Sequence, residues 1–229
     1  MESNNPIIQL QDINVFQQDH LVLSGVTLAI NKGEFVFLIG QTGSGKSSLL
    51  KAIYGDLKIS QGTGEVVGYS LTTIKEKEVP FMRRKMGIVF QDFQLLMDRS
   101  VEDNLKFVMS ATGWDDPKMI VARCEEVINE VGLAGKNHKM PHQLSGGEQQ
   151  RVVIARAMVN HPAVILADEP TGNLDPDSSV EIMNLLLKIS KMGTAVVMAT
   201  HDYRMIEKFP SRIIKCEKGK IIEDHYQTV

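Results

Sequence analysis

The chain of 229 residues is poor in the features that mark secreted, zinc-binding and membrane-spanning proteins. Its two cysteines, Cys124 and Cys216, are spaced for neither a disulfide framework nor a zinc site, so we interpret them as small apolar residues in a reducing compartment. No apolar run approaches the ~20 residues that span a bilayer, and residues 1–6 lack the basic and apolar parts of a signal peptide. If the protein acts at a membrane, we expect another chain to supply the spanning part.

Charge of one sign is also scarce. The net charge is -3 at pH 7, from 25 basic and 28 acidic side chains, and no long run of either sign occurs. Nucleic acid is therefore not predicted as the main partner. The densest basic cluster is Arg83, Arg84 and Lys85, which is either a solvated face or a contact for a partner or a phosphate.

Short apolar runs alternate with helical patterns along most of the chain. Two segments near the start show the period-2 alternation of half-buried antiparallel strands, and later runs are continuously apolar, as in buried parallel strands. The predicted strands are 8–10, 21–30, 34–39, 86–90, 164–167 and 195–199. This order predicts an α/β fold with a mostly parallel sheet and an N-terminal antiparallel β subdomain.

Helix boundaries and a terminal hairpin complete the predicted organisation. Asp116 with Pro117, and Asp175 with Pro176, are typical helix starts, whereas Gly132 and Gly193 are typical ends. Residues 45–54 are predicted to form a helix that Gly55 ends, and 212–224 a hairpin that turns at 217–219. From about 92 to 161 the chain is predicted to form a helical lobe inserted within a single domain, 1–229.

One glycine-rich segment carries the pattern of a phosphate-binding loop. Gly40 to Ser47 matches G-x-x-x-x-G-K-[ST] in full and joins an apolar strand to a helix. Its backbone N–H groups can surround the phosphates of a nucleoside triphosphate, and the following helix directs its positive end at them. Lys46 is predicted to pair with the β- and γ-phosphates, and Ser47 to ligate Mg²⁺. The remaining loop residues predicted to bind nucleotide are Gln41, Thr42, Gly43, Ser44 and Gly45.

Two acidic residues end the predicted strand 164–167. A carboxylate at this position lies at the same sheet edge as the phosphate-binding loop, so Asp168 is predicted to hold Mg²⁺ through water. Glu169 is predicted to orient or deprotonate the attacking water. An ordinary strand end followed by a polar turn is the alternative interpretation.

A serine, two glycines and a glutamate follow Leu144, and they have two compatible interpretations. Ser145 to Glu148 forms the S-x-x-E pattern of a capping box at a helix start. A capped helix that opens with Gly146 and Gly147 also leaves backbone donors close to an incoming anion.

The phosphate-binding loop followed by Leu144-Ser145-Gly146-Gly147-Glu148 resembles the ATP-binding cassette (ABC) ATPases. The resemblance implies that Ser145, Gly146, Gly147 and Glu148 meet the γ-phosphate of ATP bound by an opposing subunit. One chain would then hold two half-sites and no complete site. A homodimer with ATP between its subunits is therefore expected.

Further positions match the family's motifs, and their roles are implied by that match. Gln91 would contact Mg²⁺ and water, and His201 would contact the γ-phosphate. Asp175, in the segment 173–175, would cross the dimer interface. Phe16 would stack on adenine where the family usually has tyrosine, and Ser48 replaces a threonine that is commoner there.

The segments 168–175 and 90–99 resemble the ABC ATPases that serve cell division, lipoprotein release and macrolide export, and are most similar to the cell-division type. That resemblance implies a membrane permease as partner and a place on the inner face of the cell membrane, reached only through the permease. We expect the permease to contact 91–99, where Phe93, Leu95, Leu96 and Met97 either receive a partner helix or belong to the core. The exporter types remain alternatives, as does a nucleotide-switched scaffold with low turnover.

Overall fold

The structure, a computed structural model, describes residues 6–224. The strands are β1 (Ile8–Gln17), β2 (His20–Ile30), β3 (Phe35–Ile39), β4 (Thr63–Val66), β5 (Tyr69–Ser70), β6 (Met86–Val89), β7 (Val164–Asp168), β8 (Ala195–Thr200), β9 (Arg212–Glu217) and β10 (Lys220–Asp224). The helices are α1 (Lys46–Ile53), α2 (Val79–Arg84), α3 (Val101–Ala111), α4 (Pro117–Glu130), α5 (Gly146–Met158), α6 (Pro176–Lys191) and α7 (Tyr203–Lys208), with a 3₁₀ turn at Pro141–Gln143. Among the helices of this range, none has the length and hydropathy that a bilayer crossing requires.

The strands form two sheets, which confirms the predicted α/β class. A four-stranded sheet has the order β2-β1-β4-β5 and is antiparallel. A six-stranded sheet has the order β10-β9-β3-β8-β7-β6, and only its edge pair β10–β9 is antiparallel. The terminal hairpin is therefore confirmed, and its first strand also extends the parallel sheet beside β3.

The six-stranded sheet is buried on both faces. Along β3, Phe35, Phe37 and Ile39 belong to one apolar cluster, whereas Val36 and Leu38 belong to a second cluster on the opposite face. Helices α3 to α6 contribute to the first cluster, and α1 with the antiparallel sheet contributes to the second. This double burial explains why the parallel strands are continuously apolar in sequence.

The helical segment between β6 and β7 contains no strand in the structure. Its last helix, α5, packs against β6, where a Cβ placed on Gly87 would lie 2.7 Å from the carbonyl oxygen of Ala157. The second half of α5 therefore belongs to the sheet's helical layer as much as to a separate lobe. A single domain spanning 1–229 stays a prediction.

Candidate nucleotide site

Four adjacent parallel strands deliver the predicted site residues to one edge of the six-stranded sheet. At this edge Ile39 pairs with Thr200, Asp168 with Ala199, and Ala167 with Val89. The residues that follow these strands are Gly40 after β3, His201 after β8, Glu169 after β7 and, one position further on, Gln91 after β6. Parallel α/β sheets bind their ligands outside this edge.

The phosphate-binding loop passes close to the neighbouring strand. Gly40 has φ of +149°, and a Cβ there would lie 2.4 Å from both the carbonyl oxygen of Cys216 and Ser44 Oγ. Only glycine fits this position. Lys46 is 7% exposed, and its Nζ donates to the carbonyl oxygens of Gly40 (2.9 Å) and Gln41 (3.3 Å). The lysine is thus held over the loop by neutral carbonyl partners, which an anionic phosphate can replace.

The start of α1 lacks a side-chain cap, and one buried hydroxyl of the loop has no partner within the described part of the protein. Helix α1 has Gly45 as its N-cap residue and therefore no side-chain cap, although a helix start leaves up to four N–H groups without partners inside the helix. Ser44 Oγ is buried and has no hydrogen-bond partner among the described residues. Such unsatisfied donors at a helix start suit a phosphate anion.

Glu169 and His201 are in direct contact, which the sequence did not predict. His201 Nδ1 lies 2.7 Å from Glu169 Oε1, and the Glu169 N–H donates to the Ala199 carbonyl oxygen at 2.9 Å. Glu169 has φ of +50°, a left-handed conformation that is uncommon outside glycine and occurs often at functional sites. The structure therefore joins two of the predicted catalytic side chains, on neighbouring strands, in one pair.

Gln91 lies beside the turn that follows Glu169. Its carbonyl oxygen accepts a hydrogen bond from Asn173 Nδ2 at 3.2 Å. A Cβ placed on Gly172 would lie 3.3 Å from Gln91 Nε2. The turn leads to Asp175, which caps α6 by accepting a hydrogen bond from the Ser178 N–H at 2.9 Å. The segments predicted to contact magnesium and to cross a dimer interface are therefore in contact.

The capping box at the start of α5 is confirmed. Ser145 Oγ accepts from the Glu148 N–H at 3.3 Å, and the Ser145 N–H donates to Glu148 Oε2 at 2.9 Å. Glu148 also binds the Lys136 amine, and this contact, with the Ser145 N–H, holds the pKa of Glu148 below its usual range. Helix α5 packs against β6, α3, α4 and α6, whereas α1 packs on β1 and β7. The helix that follows the phosphate-binding loop and the helix that follows Ser145 therefore contact different elements of the chain.

A family model for the ABC transporter matches residues 23–172, which contain the phosphate-binding loop, the α5 motif and both acids after β7. The chain belongs to the ABC transporter family. It is an ATPase of that family, which binds ATP and ADP.

Curated relatives and solved structures agree with this membership. The chain is 43% identical over 219 residues to the cell division ATP-binding protein FtsE of Streptococcus pneumoniae, with 95% of each chain covered. It is 48% identical over 202 residues to FtsE of Bacillus subtilis, with 88% of each covered. A bacterial ABC transporter cassette solved as a dimer has a TM-score of 0.82 and 32% identity, with 97% of this chain and 100% of that chain covered. The same cassette has been solved in a post-hydrolysis state bound to ADP and Pi.

A magnesium ion shared with the nucleotide stays a prediction for this ABC ATPase. Within residues 6–224, no group of three or more His, Cys, Asp or Glu side chains could hold a metal by itself. Mg²⁺ usually binds to one or two protein ligands together with substrate phosphates and water. Ser47 in the first turn of α1, Asp168 at the end of β7 and Gln91 remain the predicted ligands.

Phe16 and Ser48 stay predictions in this ABC ATPase. Phe16 is half-buried near the end of β1, opposite Leu21 of β2. Strand β2 then passes the phosphate-binding loop, where Leu23 and Val22 would lie about 3 Å from a Cβ at Gly45. Ser48 is half-buried in the first turn of α1.

Two side chains that sequence reasoning missed hold the segment after Gln91. Asn104 is fully buried, accepts from the Leu96 N–H at 2.8 Å and donates to the carbonyl oxygens of Leu96, Arg99 and Ser100. Arg156 of α5 donates to the carbonyl oxygens of Phe93 (3.2 Å) and Gln94 (2.6 Å). A buried asparagine and an arginine inside amphipathic helices carry no sequence signal for this role.

Proposed function

We propose that this chain is the ATPase subunit of a complex like that of FtsE with its permease FtsX. In this proposal two copies dimerise on ATP and drive conformational signalling through the permease, in bacterial cell division and the control of peptidoglycan hydrolysis. The protein would lie on the inner face of the cell membrane, held there by the permease. The cell-division name of the relatives described above favours this function over lipoprotein release or macrolide export.

The observation that carries the proposal is the sheet edge, where four neighbouring parallel strands end and the first of them leads into the phosphate-binding loop. Lys46 would exchange its carbonyl partners for the β- and γ-phosphates. Ser47, Asp168 and Gln91 would hold Mg²⁺, which would neutralise phosphate charge. Glu169 would orient or deprotonate the water, and His201 would turn from Glu169 towards the γ-phosphate.

The separation of the phosphate-binding loop from the start of α5 supports a site shared between two chains. The loop and α5 contact different elements, and the exposed Ser145 at the start of α5 would meet the γ-phosphate bound by a second copy. Ser145, Gly146, Gly147 and Glu148 would supply that surface, and Asp175 would lie across the interface.

Glu169→Gln tests both the chemistry and the dimer. It removes the charge that activates water and no phosphate contact, so ATP binding should survive while hydrolysis falls about 10²–10⁴-fold. The variant should therefore accumulate as an ATP-bound dimer in light scattering. Glu125→Gln, the same change at an exposed glutamate of α4, is the control. A variant that stays monomeric at saturating Mg-ATP would contradict the proposal.

The structure corrects part of the expected permease contact. Leu95 is buried in the core, so its interpretation as a receiver of a partner helix is wrong. Phe93 is half-buried and packs on the same core cluster, whereas Met97 is 55% exposed. Of the four side chains, Met97 is the one best placed to meet a partner.

A groove adjoining this segment is the proposed docking surface. It has a volume of about 410 Å³ and lies between β6, α3 and α5, with Arg84, Phe90, Val108 and Arg156 among its lining residues. Arg156 connects it to the segment by its hydrogen bonds to the Phe93 and Gln94 carbonyls. Apolar walls with arginine side chains suit an amphipathic helix of the permease that carries acidic residues.

Met97→Glu tests whether the permease contacts the segment that follows Gln91. A charge at the exposed position should reduce permease recovery in a pull-down by at least about tenfold, if Met97 is a buried anchor of the complex. Basal ATPase activity should stay within a few-fold. Met119→Glu is the matched control, because Met119 is exposed to a similar degree, 58%, on a different helix, α4. Equal permease recovery with both variants would place the permease contact outside the segment 91–99.

A further inference from the structure

An ion pair joins the loop after α4 to the first turn of α5. The Lys136 amine contacts Glu148 Oε1, while Glu148 Oε2 accepts the Ser145 N–H at 2.9 Å. The carboxylate of the capping box is therefore held from both sides, by the backbone of its own helix and by a lysine twelve positions earlier in the chain.

The loop that carries Lys136 is itself fixed to another helix. The Glu102 N–H donates to the Asn137 carbonyl oxygen at 3.0 Å, and the Val101 N–H donates to the Lys139 carbonyl oxygen at 2.8 Å. These bonds use N–H groups at the start of α3 that the helix leaves unsatisfied. Lys136 is thus presented by anchored backbone, and its side chain is 39% exposed.

Glu148 creates an electrostatic conflict at the surface proposed to receive a γ-phosphate. The start of a helix attracts an anion through its N–H groups and dipole. A carboxylate in the first turn satisfies the same dipole and repels a second anion. Lys136 is the largest cause of the lowered pKa of Glu148, and its charge offsets that of the carboxylate.

We propose that Lys136 is a positioning residue for ATP-dependent dimerisation. By pairing with Glu148 it cancels the charge beside Ser145 and keeps the capping box in the geometry that the partner's γ-phosphate meets. This role rests on the proposed function, because it requires nucleotide bound by one chain to dock on α5 of another.

The expected size of the effect follows from the exposure of the pair. A partly exposed ion pair changes an equilibrium by only a few-fold, but a symmetric dimer contains the contact twice. Lys136→Met should therefore raise the dissociation constant of the ATP-bound dimer about tenfold, which corresponds to ~1.4 kcal/mol. The affinity of the monomer for ATP should not change, since the phosphate-binding loop lies elsewhere.

The experiment uses the Glu169→Gln protein with Mg-ATP, and measures its monomer–dimer equilibrium by sedimentation. Lys136→Arg should retain the parent's dimer. Lys139→Met removes the same charge from the same loop and should have no effect, since Lys139 forms no ion pair within residues 6–224. The loss caused by Lys136→Met should be larger at low ionic strength, because salt screens exposed charges. A loss of fold alone would not follow salt in this way.

Glu148→Gln separates the electrostatic role from a merely structural one. Its amide oxygen can still accept the Ser145 N–H, but no charge remains for Lys136 to offset. Adding Lys136→Met to Glu148→Gln should therefore leave the dimer unchanged. The proposal is overturned if Lys136→Met alone leaves the dimer constant unchanged, or weakens the dimer equally in the Glu148→Gln background. A parent protein that never dimerises would instead remove the proposed function, and with it the proposal for Lys136.

Discussion

The two halves of the proposed ATP site are built in opposite ways within one chain. At the sheet edge, polar groups are left without partners among the described residues or held under strain: Ser44 Oγ is buried and unpaired, α1 begins uncapped, and Glu169 has φ of +50°. At the start of α5, Ser145 and Glu148 form reciprocal hydrogen bonds, and Lys136 forms an ion pair with Glu148.

This difference follows from how far apart in the chain the contributing residues lie. The sheet edge is assembled from strands between residues 35 and 200, so the surrounding core can hold an unfavourable local geometry until a ligand relieves it. The α5 start is assembled within four residues and one loop. Substitutions at the sheet edge should therefore change chemistry with little change in fold, whereas the α5 start combines capping with docking.

Among the substitutions that test this difference between the two half-sites, Ser145→Arg is expected to have the largest effect. Bulk and charge at the α5 start should block the partner's γ-phosphate and lower hydrolysis by a factor on the order of 10² or more, which is at least ~2.7 kcal/mol. Loss of the serine cap should cost about 1 kcal/mol of folding free energy. ATP binding to the monomer, measured by fluorescence titration, should persist.

His142→Arg is the control for Ser145→Arg, because it adds the same side chain at an exposed position three residues earlier. Its hydrolysis rate should match that of the unmodified protein. If Ser145→Arg also hydrolyses ATP at that rate, the α5 start is a helix cap alone and the two halves do not share a site.

Gly87→Ala tests the contact that joins the two regions. A Cβ on this β6 residue would lie 2.7 Å from the Ala157 carbonyl oxygen and 3.0 Å from Ala157 Cβ, so α5 must shift away from the sheet. Overpacking of this kind costs about 1–3 kcal/mol. The urea midpoint should fall accordingly, and an unchanged midpoint would mean that α5 and β6 pack less closely than described.

The parallel sheet could be predicted from sequence because its strands are buried on both faces. The runs that end at Ile39, Ala167 and Ala199 are continuously apolar, and each leads into a segment that carries predicted site residues. The caps at Asp116, Asp175 and Ser145 could also be predicted, since each depends on residues within three positions.

Short or irregular elements escaped prediction. Strand β1 continues beyond Leu10 to Gln17, but register shifts after Leu10 and Ile13 break its alternation, and Asp12 has φ of +51°. The elements β4, β5, α2 and α7 span only two to six residues, too few for a period to emerge.

Contacts between residues that are distant in the chain could likewise not be predicted from the sequence. The pairing of Glu169 with His201 depends on the order of β7 and β8 in the sheet. The hydrogen bonds of Asn104 and Arg156 to the segment after Gln91 depend on the packing of α3 and α5. Neither arrangement has a local pattern from which it could be inferred.

Asp116→Ala is expected to have the smallest effect of these substitutions. It tests whether loss of a helix cap by itself affects dimerisation. Asp116 caps α4 by accepting from the Lys118 N–H at 2.8 Å, in the locally satisfied manner of Ser145 but with no proposed role towards nucleotide. Its loss should cost about 1 kcal/mol of folding free energy, measured by urea denaturation. ATP-dependent dimerisation and hydrolysis should stay within a few-fold. Asp115→Ala removes the same charge one position earlier without removing the cap, and should leave stability within about 0.5 kcal/mol. If Asp116→Ala instead abolished dimerisation while remaining folded, local capping and nucleotide docking would be coupled across the helical lobe, and the contrast between the two half-sites would not hold.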